Sequence, residues 1–295
     1  MKNTEVLISG AGVAGITLAY WLRRHGFIPT VVERAHSIRD GGYKIDIRGA
    51  ALPVVEKMGL FDQIRARVTD VRAGSVVDAK GRRVASMDGH TFGGRTHGDA
   101  EILRGDLHRL LFAATHGVEY RWGDSIADLR QSEDRVDVTL ASGVTRTFDL
   151  VIGADGLHSV TREKAFGSGH VHDLGYRVSI FSVPNHLDLD HEELTYVSPS
   201  RTVLVYSTAH DAGAKAMFLF ADDAPRGRTP ANTSPTATRT RPGKYRHCSR
   251  TWARTSTSTN SARCTSTADR TAASHWWATP PTARRSPPGR ARASP

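Results

Sequence analysis

The feature that most restricts what this chain can fold into is a run of three glycines, Gly10-Ala-Gly12-Val-Ala-Gly15, set between a strand-like and a helix-like segment. Before it, Glu5-Val-Leu-Ile-Ser9 is almost uniformly apolar, as expected of a strand buried on both faces of a parallel sheet. After it, Ile16 to His25 places Leu18, Ala19 and Leu22 at helical spacing, and Gly26 can stop the helix. Pro29-Thr-Val-Val-Glu33 then reads as a second strand that ends in an acid. Gly10 permits a tight turn, Gly12 lets the backbone approach a pyrophosphate, and Gly15 lets the helix pack closely on the strand. The helix N-terminus offers free N–H groups and a positive dipole end to phosphates. Glu33, eighteen residues beyond Gly15, stands where a carboxylate can accept hydrogen bonds from an adenosine ribose. A glycine-rich turn alone is weak evidence, but strand, turn, helix, strand and acid in this order point to dinucleotide binding.

Later segments narrow the choice of dinucleotide. Asp149-Leu-Val-Ile-Gly-Ala-Asp155-Gly156 is another apolar strand running into an Asp-Gly turn and a helix. Earlier, Glu101-Ile-Leu-Arg104-Gly-Asp106-Leu-His-Arg-Leu-Leu111 enters a helix with Leu107, Leu110 and Leu111 on one face. With Glu33 followed by Arg34, as in the flavoprotein version of the turn motif, residues 4–224 resemble the group A FAD-dependent aromatic monooxygenases, the hydroxybenzoate hydroxylase family. Within that group the likeness is nearest to tetracycline-degrading monooxygenases.

The resemblance implies roles for single residues. Arg104 would contact the flavin, while Asp155 and Gly156 would help shape the sites for FAD and for the nicotinamide nucleotide. The stretch Arg39-Asp-Gly41-Gly42-Tyr-Lys-Ile-Asp46 resembles a loop in which the arginine is associated with the reducing nucleotide and the aspartate lies by the flavin, which carries over onto Arg39 and Asp46. Plain structural roles compete with these. Asp155 can cap the following helix, and Arg104 can be a surface arginine. His158 and the His170-Val-His172-Asp173 cluster read as solvated loop residues, because no third partner at metal spacing accompanies them.

The expected fold class is α/β, a Rossmann-like FAD-binding domain on a parallel sheet with an incomplete antiparallel-sheet substrate domain and a disordered basic tail. Residues 1–70 and 100–173 are assigned to the first and residues 71–99 and 174–224 to the second. Strand-like runs at Arg177–Val183, Leu194–Val197, Thr202–Ser207 and Ala216–Phe220 carry that second sheet. Tyr206, Phe218 and Phe220 could line a substrate pocket, but alternating aromatics in strands are ordinary core.

Residues 225–295 are a different kind of sequence. They hold fourteen basic residues against Asp269 alone, so the formal +10 of the whole chain leaves residues 1–224 at −3. They also hold nine of the thirteen prolines and no Val, Ile, Leu, Met or Phe, too little apolar surface to offset chain entropy. Cys248 and Cys264 match neither a zinc pair nor a redox pair, so neither a metal nor a disulfide is expected. A basic tail can bind nucleic acid through phosphate contacts, but Tyr245, Trp252, Trp276 and Trp277 are not interleaved with the arginines as stacking platforms would be.

The family resemblance implies a third cofactor segment, a Gly-Asp followed by Ala-Ala and later a Pro-x-x-Gly-x-G, which the sequence lacks. Reverse translation suggests why. Read in the shifted frame, His275-Trp276-Trp277-Ala278 forces Leu-Val-Gly, and Ala278 to Ala283 permits Asp-Ala-Ala-Tyr-Cys. The expectation is therefore a frameshift near Ala221 to Thr229, with an out-of-frame tail.

No run approaches the eighteen apolar residues of a membrane span, and the N-terminus lacks a secretion signal, so a cytoplasmic protein without membrane contact is expected. The implied chemistry is reduction of FAD by NADPH or NADH, reaction with molecular oxygen, and transfer of one oxygen atom to a small organic substrate, aromatic or polycyclic. The flavin carries that chemistry, so no catalytic base is assigned. Three other readings stay open: a flavin-binding remnant without turnover, a flavin-dependent reductase or dehydrogenase, and a basic-tailed nucleic-acid-binding protein.

Overall fold

The computed structural model describes residues 4–38, 41–89 and 98–221. Strand β1 (Glu5–Ser9) leads through the glycine turn into helix α1 (Val13–Arg24) and back to β2 (Ile28–Glu33). Then come β3 (Lys44–Ile47), α2 (Ala51–Lys57), α3 (Phe61–Arg65) and the hairpin of β4 (Ala73–Val77) with β5 (Arg83–Asp88). Strand β6 (Ala100–Leu103) enters α4 (Arg104–Ala113), followed by β7 (Glu119–Trp122) and the meander β8 (Ile126–Gln131), β9 (Val136–Leu140) and β10 (Thr145–Phe148). The chain continues with β11 (Leu150–Gly153), α5 (Val160–Phe166), β12 (Tyr176–Val183), β13 (Glu192–Ser198), β14 (Arg201–Thr208) and β15 (Asp211–Ala221).

The four strands of the first sheet run parallel in the order β11-β1-β2-β7. Val6, Leu7 and Ile8 of β1 are at most 1% exposed, which explains why that strand has no polar alternation. One face of the sheet is covered by α1 and α4, with Ile16 and Ala19 packed among Leu107, Leu110 and Leu111. Each fully buried Ile or Leu among them contributes about 1.5–3 kcal/mol. Helix α1 begins at Val13, three residues before the apolar period starts, because the glycine turn runs straight into it and Ile16 N–H already donates to Gly12 O at 3.0 Å. The other face is covered by the meander, whose Ile126, Val138, Leu140 and Phe148 pack on Leu7 and Val32.

The largest sheet has the order β12-β15-β14-β13-β4-β5. All its pairs are antiparallel except β13 with β4. Tyr206, Phe218 and Phe220 on β14 and β15 are at most 4% exposed and belong to the core. The short pair β3-β6 joins the two larger bodies. Residues 222–295, with both cysteines, lie outside the described residues, as does Arg39. Among the described residues no helix is long and apolar enough to cross a membrane.

Candidate functional site

A cleft opens at the carboxyl ends of the parallel strands, where β1 ends at Ser9, β2 at Glu33, β7 at Trp122 and β11 just before Ala154. Strand β1 lies between β2 and β11: its connection leads through α1 to β2, whereas the connection from β11 leads through α5 to the large sheet, so the two leave neighbouring strands in different directions and a crevice opens between them. Gly10, Gly12, Glu33, Arg34, Arg104, Asp155 and Gly156 all line this cleft. Gly15 lies one turn deeper. Asp46, on β3, is not among the lining residues; its Oδ2 accepts from Arg48 at 2.7 Å.

The three glycines are set apart by what surrounds them. A side chain on Gly10 would collide with Ala154 O at 2.6 Å, and its φ of +106° already excludes ordinary residues. A Cβ on Gly15 would lie 1.9 Å from Gly10 O in the turn and 3.3 Å from Ile8 Cγ2 on β1, so the turn can lead into α1 this tightly only without one. A Cβ on Gly12 would meet nothing within 4 Å, because this residue faces the open cleft. No side chain caps the first turn of α1, which also holds no acidic residue. Helix α5, in contrast, is capped by Ser159, whose Oγ accepts from Arg162 N–H at 2.9 Å. The α1 N-terminus therefore presents uncapped N–H donors to a cleft whose floor is glycine, the chemistry an anionic pyrophosphate requires.

Glu33 braces the turn from the end of β2. Its Oε2 accepts from Ala11 N–H at 3.0 Å and its Oε1 from Ala35 N–H at 2.9 Å. Each carboxylate oxygen has a second lone pair for a ribose hydroxyl. Asp155 meets both readings of its role. Its side chain accepts from Ser159 Oγ at 2.5 Å and from Thr161 N–H and Oγ1, both at 3.0 Å, and the residue also lines the cleft. Burial pushes the Asp155 carboxyl up, but these hydrogen bonds together hold it below the ordinary aspartate value. Arg104 opens α4, with its backbone N–H donating to Tyr43 O at 2.9 Å.

The structure adds residues that the sequence did not single out. His108, one turn beyond Arg104, is buried and places Nε2 2.6 Å from Ala11 O, tying α4 to the glycine turn. Asp124 organises the adjoining wall, accepting from Ser125 N–H, Ser142 N–H and Ser142 Oγ. Trp122 also lines the cleft, and so does His158, exposed in a turn as the sequence suggested. Asp124 bonds to Ser142 eighteen residues on and His108 to a partner 97 residues away, so neither contact leaves a local trace in the sequence.

The family model for the FAD binding domain matches residues 3–275. The chain belongs to this family. It is 40% identical over 221 residues to a flavin-dependent monooxygenase from an unknown prokaryotic organism, covering 74% of this chain and 57% of that protein. It is 43% identical over 222 residues to an uncharacterized protein of Mycobacterium tuberculosis (strain ATCC 25618 / H37Rv), covering 74% and 60%. Among solved structures it is similar to the tetracycline destructase Tet(55), with a TM-score of 0.71, 36% identity, and 80% of this chain and 61% of that one covered. The chain thus spans less than two thirds of the length of these relatives. Gly12, the uncapped α1 N-terminus and Glu33 fit the pyrophosphate and ribose of FAD.

Proposed function

We propose that this cleft holds FAD and that the chain serves an NADPH- or NADH-driven monooxygenase, which places one atom of molecular oxygen on a small, aromatic or polycyclic organic substrate. The observation that carries the reading is the uncapped N-terminus of α1 above Gly12, with Glu33 at the end of the neighbouring strand. First-turn N–H groups of α1 bind the pyrophosphate, Glu33 accepts from the ribose, and Arg104 contacts the flavin side. Asp155 and Gly156 shape the adjoining wall, Asp46 stands near the flavin, and Arg39 receives the nicotinamide nucleotide. The bound flavin supplies the redox and oxygen chemistry; the protein groups bind, orient and exclude water. The names of the relatives support a monooxygenase over a reductase or dehydrogenase.

The deciding experiment is the visible spectrum of the purified chain with FAD and then with NADPH. A bound flavin that bleaches and recovers in air, with oxygen uptake, supports the reading. A bound flavin without bleaching favours a remnant that binds without turnover. No bound flavin overturns the assignment for this chain.

A further inference from the structure

The β3-β6 pair carries a group of buried charges that cofactor binding leaves without a role. Lys44 Nζ lies 2.7 Å from Glu193 Oε2 on β13 and 3.0 Å from Glu101 Oε2 on β6. The three side chains are 3%, 0% and 6% exposed in that order. Thr69 Oγ1 donates to Glu101, and Thr195 Oγ1 donates to Glu193 at 3.3 Å. On β14, the Tyr206 hydroxyl oxygen accepts from the Lys44 backbone N–H at 3.0 Å, with its ring 5.1 Å from Nζ. Burial alone would pull the Lys44 ammonium down, but Glu193 and Glu101 outweigh it and hold it above its ordinary value. Burial pushes the Glu193 carboxyl up.

Burying three charged side chains is costly, and well-packed apolar residues are often as stable or more so, so stability does not by itself explain the cluster. Its position supplies another reason. Lys44 directly follows the turn 41–43 on which Arg104 is seated. Arg104 N–H donates to Tyr43 O, a Cβ on Gly42 would lie 3.2 Å from Arg104 Cβ, and a Cβ on Gly105 would lie 2.6 Å from Gly41 O. Lys44 is also paired in register with Leu103, the residue before Arg104.

We propose that Lys44 is a positioning residue for Arg104: tied to Glu193, Glu101 and Tyr206, it fastens the 41–43 turn to the large sheet and so fixes where Arg104 enters the cleft. The large sheet, expected to carry the substrate, is thereby coupled mechanically to the flavin side of the cofactor site. This rests on the reading in which Arg104 contacts FAD.

The test uses the full chain and one mild variant, Tyr206→Phe, because Lys44→Met strands two buried carboxylates and can prevent folding. The first readout needs no cofactor: hydrogen exchange of residues 41–47 and 100–106, compared with β1 and β2. In Tyr206→Phe, losing one buried acceptor should speed exchange at both segments about fivefold or more, with β1 and β2 unchanged. Unchanged exchange there, or an equal rise everywhere, overturns the proposal. The second readout is FAD affinity by flavin fluorescence. Tyr206→Phe should weaken binding in the wild-type background and have no further effect after Arg104→Ala. Equal effects in both backgrounds overturn the proposal. Arg104→Ala alone separately tests the parent reading: if it leaves FAD affinity unchanged, contact between Arg104 and FAD is refuted, while the exchange result still decides whether the cluster seats the turn.

Discussion

Methyl groups added to Gly12 and Gly15 should have opposite consequences, although the two residues stand three positions apart in one turn. At Gly12 the backbone has φ −78° and ψ −177°, open to any residue, and a Cβ meets nothing within 4 Å. Alanine removes unfolded-chain freedom, which stabilises by about 0.4–1 kcal/mol, and weakens the N-cap by a comparable amount. The cofactor-free Gly12→Ala protein should therefore melt within about 0.5 kcal/mol of wild type. The same methyl stands where a pyrophosphate must approach the backbone, and overpacking there costs about 1–3 kcal/mol, or roughly five- to 150-fold in FAD affinity. At Gly15 the new Cβ would lie 1.9 Å from Gly10 O, so the first turn of α1 must move away from the glycine turn that leads into it. A displacement of about 1 Å in a close-packed interior should outweigh the helix-propensity gain of about 1 kcal/mol and leave a net loss of about 2 kcal/mol. For a body of this size that corresponds to about 4–8 °C in Tm. Thermal melts without FAD and fluorescence titration with it make the comparison. Wild-type FAD affinity in Gly12→Ala, or a wild-type melt in Gly15→Ala, would refute the reasoning.

Other outcomes follow from the same geometry. Glu33→Gln leaves one acceptor oxygen for the Ala11 and Ala35 N–H groups, so stability should fall by about 1–3 kcal/mol, checked by denaturant titration, with weaker FAD binding as well. Asp155→Asn gives up a carboxylate that accepts three hydrogen bonds and should cost about 1–2 kcal/mol near neutral pH. Because the folded-state pKa lies below the ordinary 3.8, that contribution is complete above the unfolded value and is lost as pH falls through the folded one; the two proteins' melts should differ steadily above about pH 5 and converge in acid. The out-of-frame origin proposed for residues 225–295 is checked by reading the encoding DNA, where the shifted frame should spell the Gly-Asp segment; any other reading there removes the proposal.

What could be read from the sequence was mostly local. The turn from Gly10 to Gly15, the apolar β1 and the acid that ends β2 each declare themselves within a few residues, because backbone conformation and strand burial act at that range. Four of the six strands of the large sheet, β12 to β15, were visible through alternation and polar turns, but not β4 and β5, nor the parallel pairing of β13 with β4, since Glu193 meets Gly74 across more than a hundred residues. The meander from Ile126 to Phe148 carried an alternating signal of its own in Val136-Asp-Val-Thr-Leu140, yet nothing local said that it covers the parallel sheet. The buried charges were the least legible. Lys44, Glu101 and Glu193 look like solvated positions on strands and become core only when three elements converge on them. Asp46 accepts from Arg48 outside the cleft lining, and its place by the flavin belongs to the proposed function.

The parallel contact between β4 and β13 also sets a timetable. Strands β4 and β5 are synthesised about 120 residues before β13, the strand that pairs with the inner edge of β4. At 5–20 residues per second the nascent hairpin waits roughly 6 to 24 s with that edge uncovered. An exposed strand edge is a template for pairing with other chains. During that interval this protein should depend most on chaperones, and a ribosome stalled between Asp88 and Glu192 should yield a product prone to aggregate.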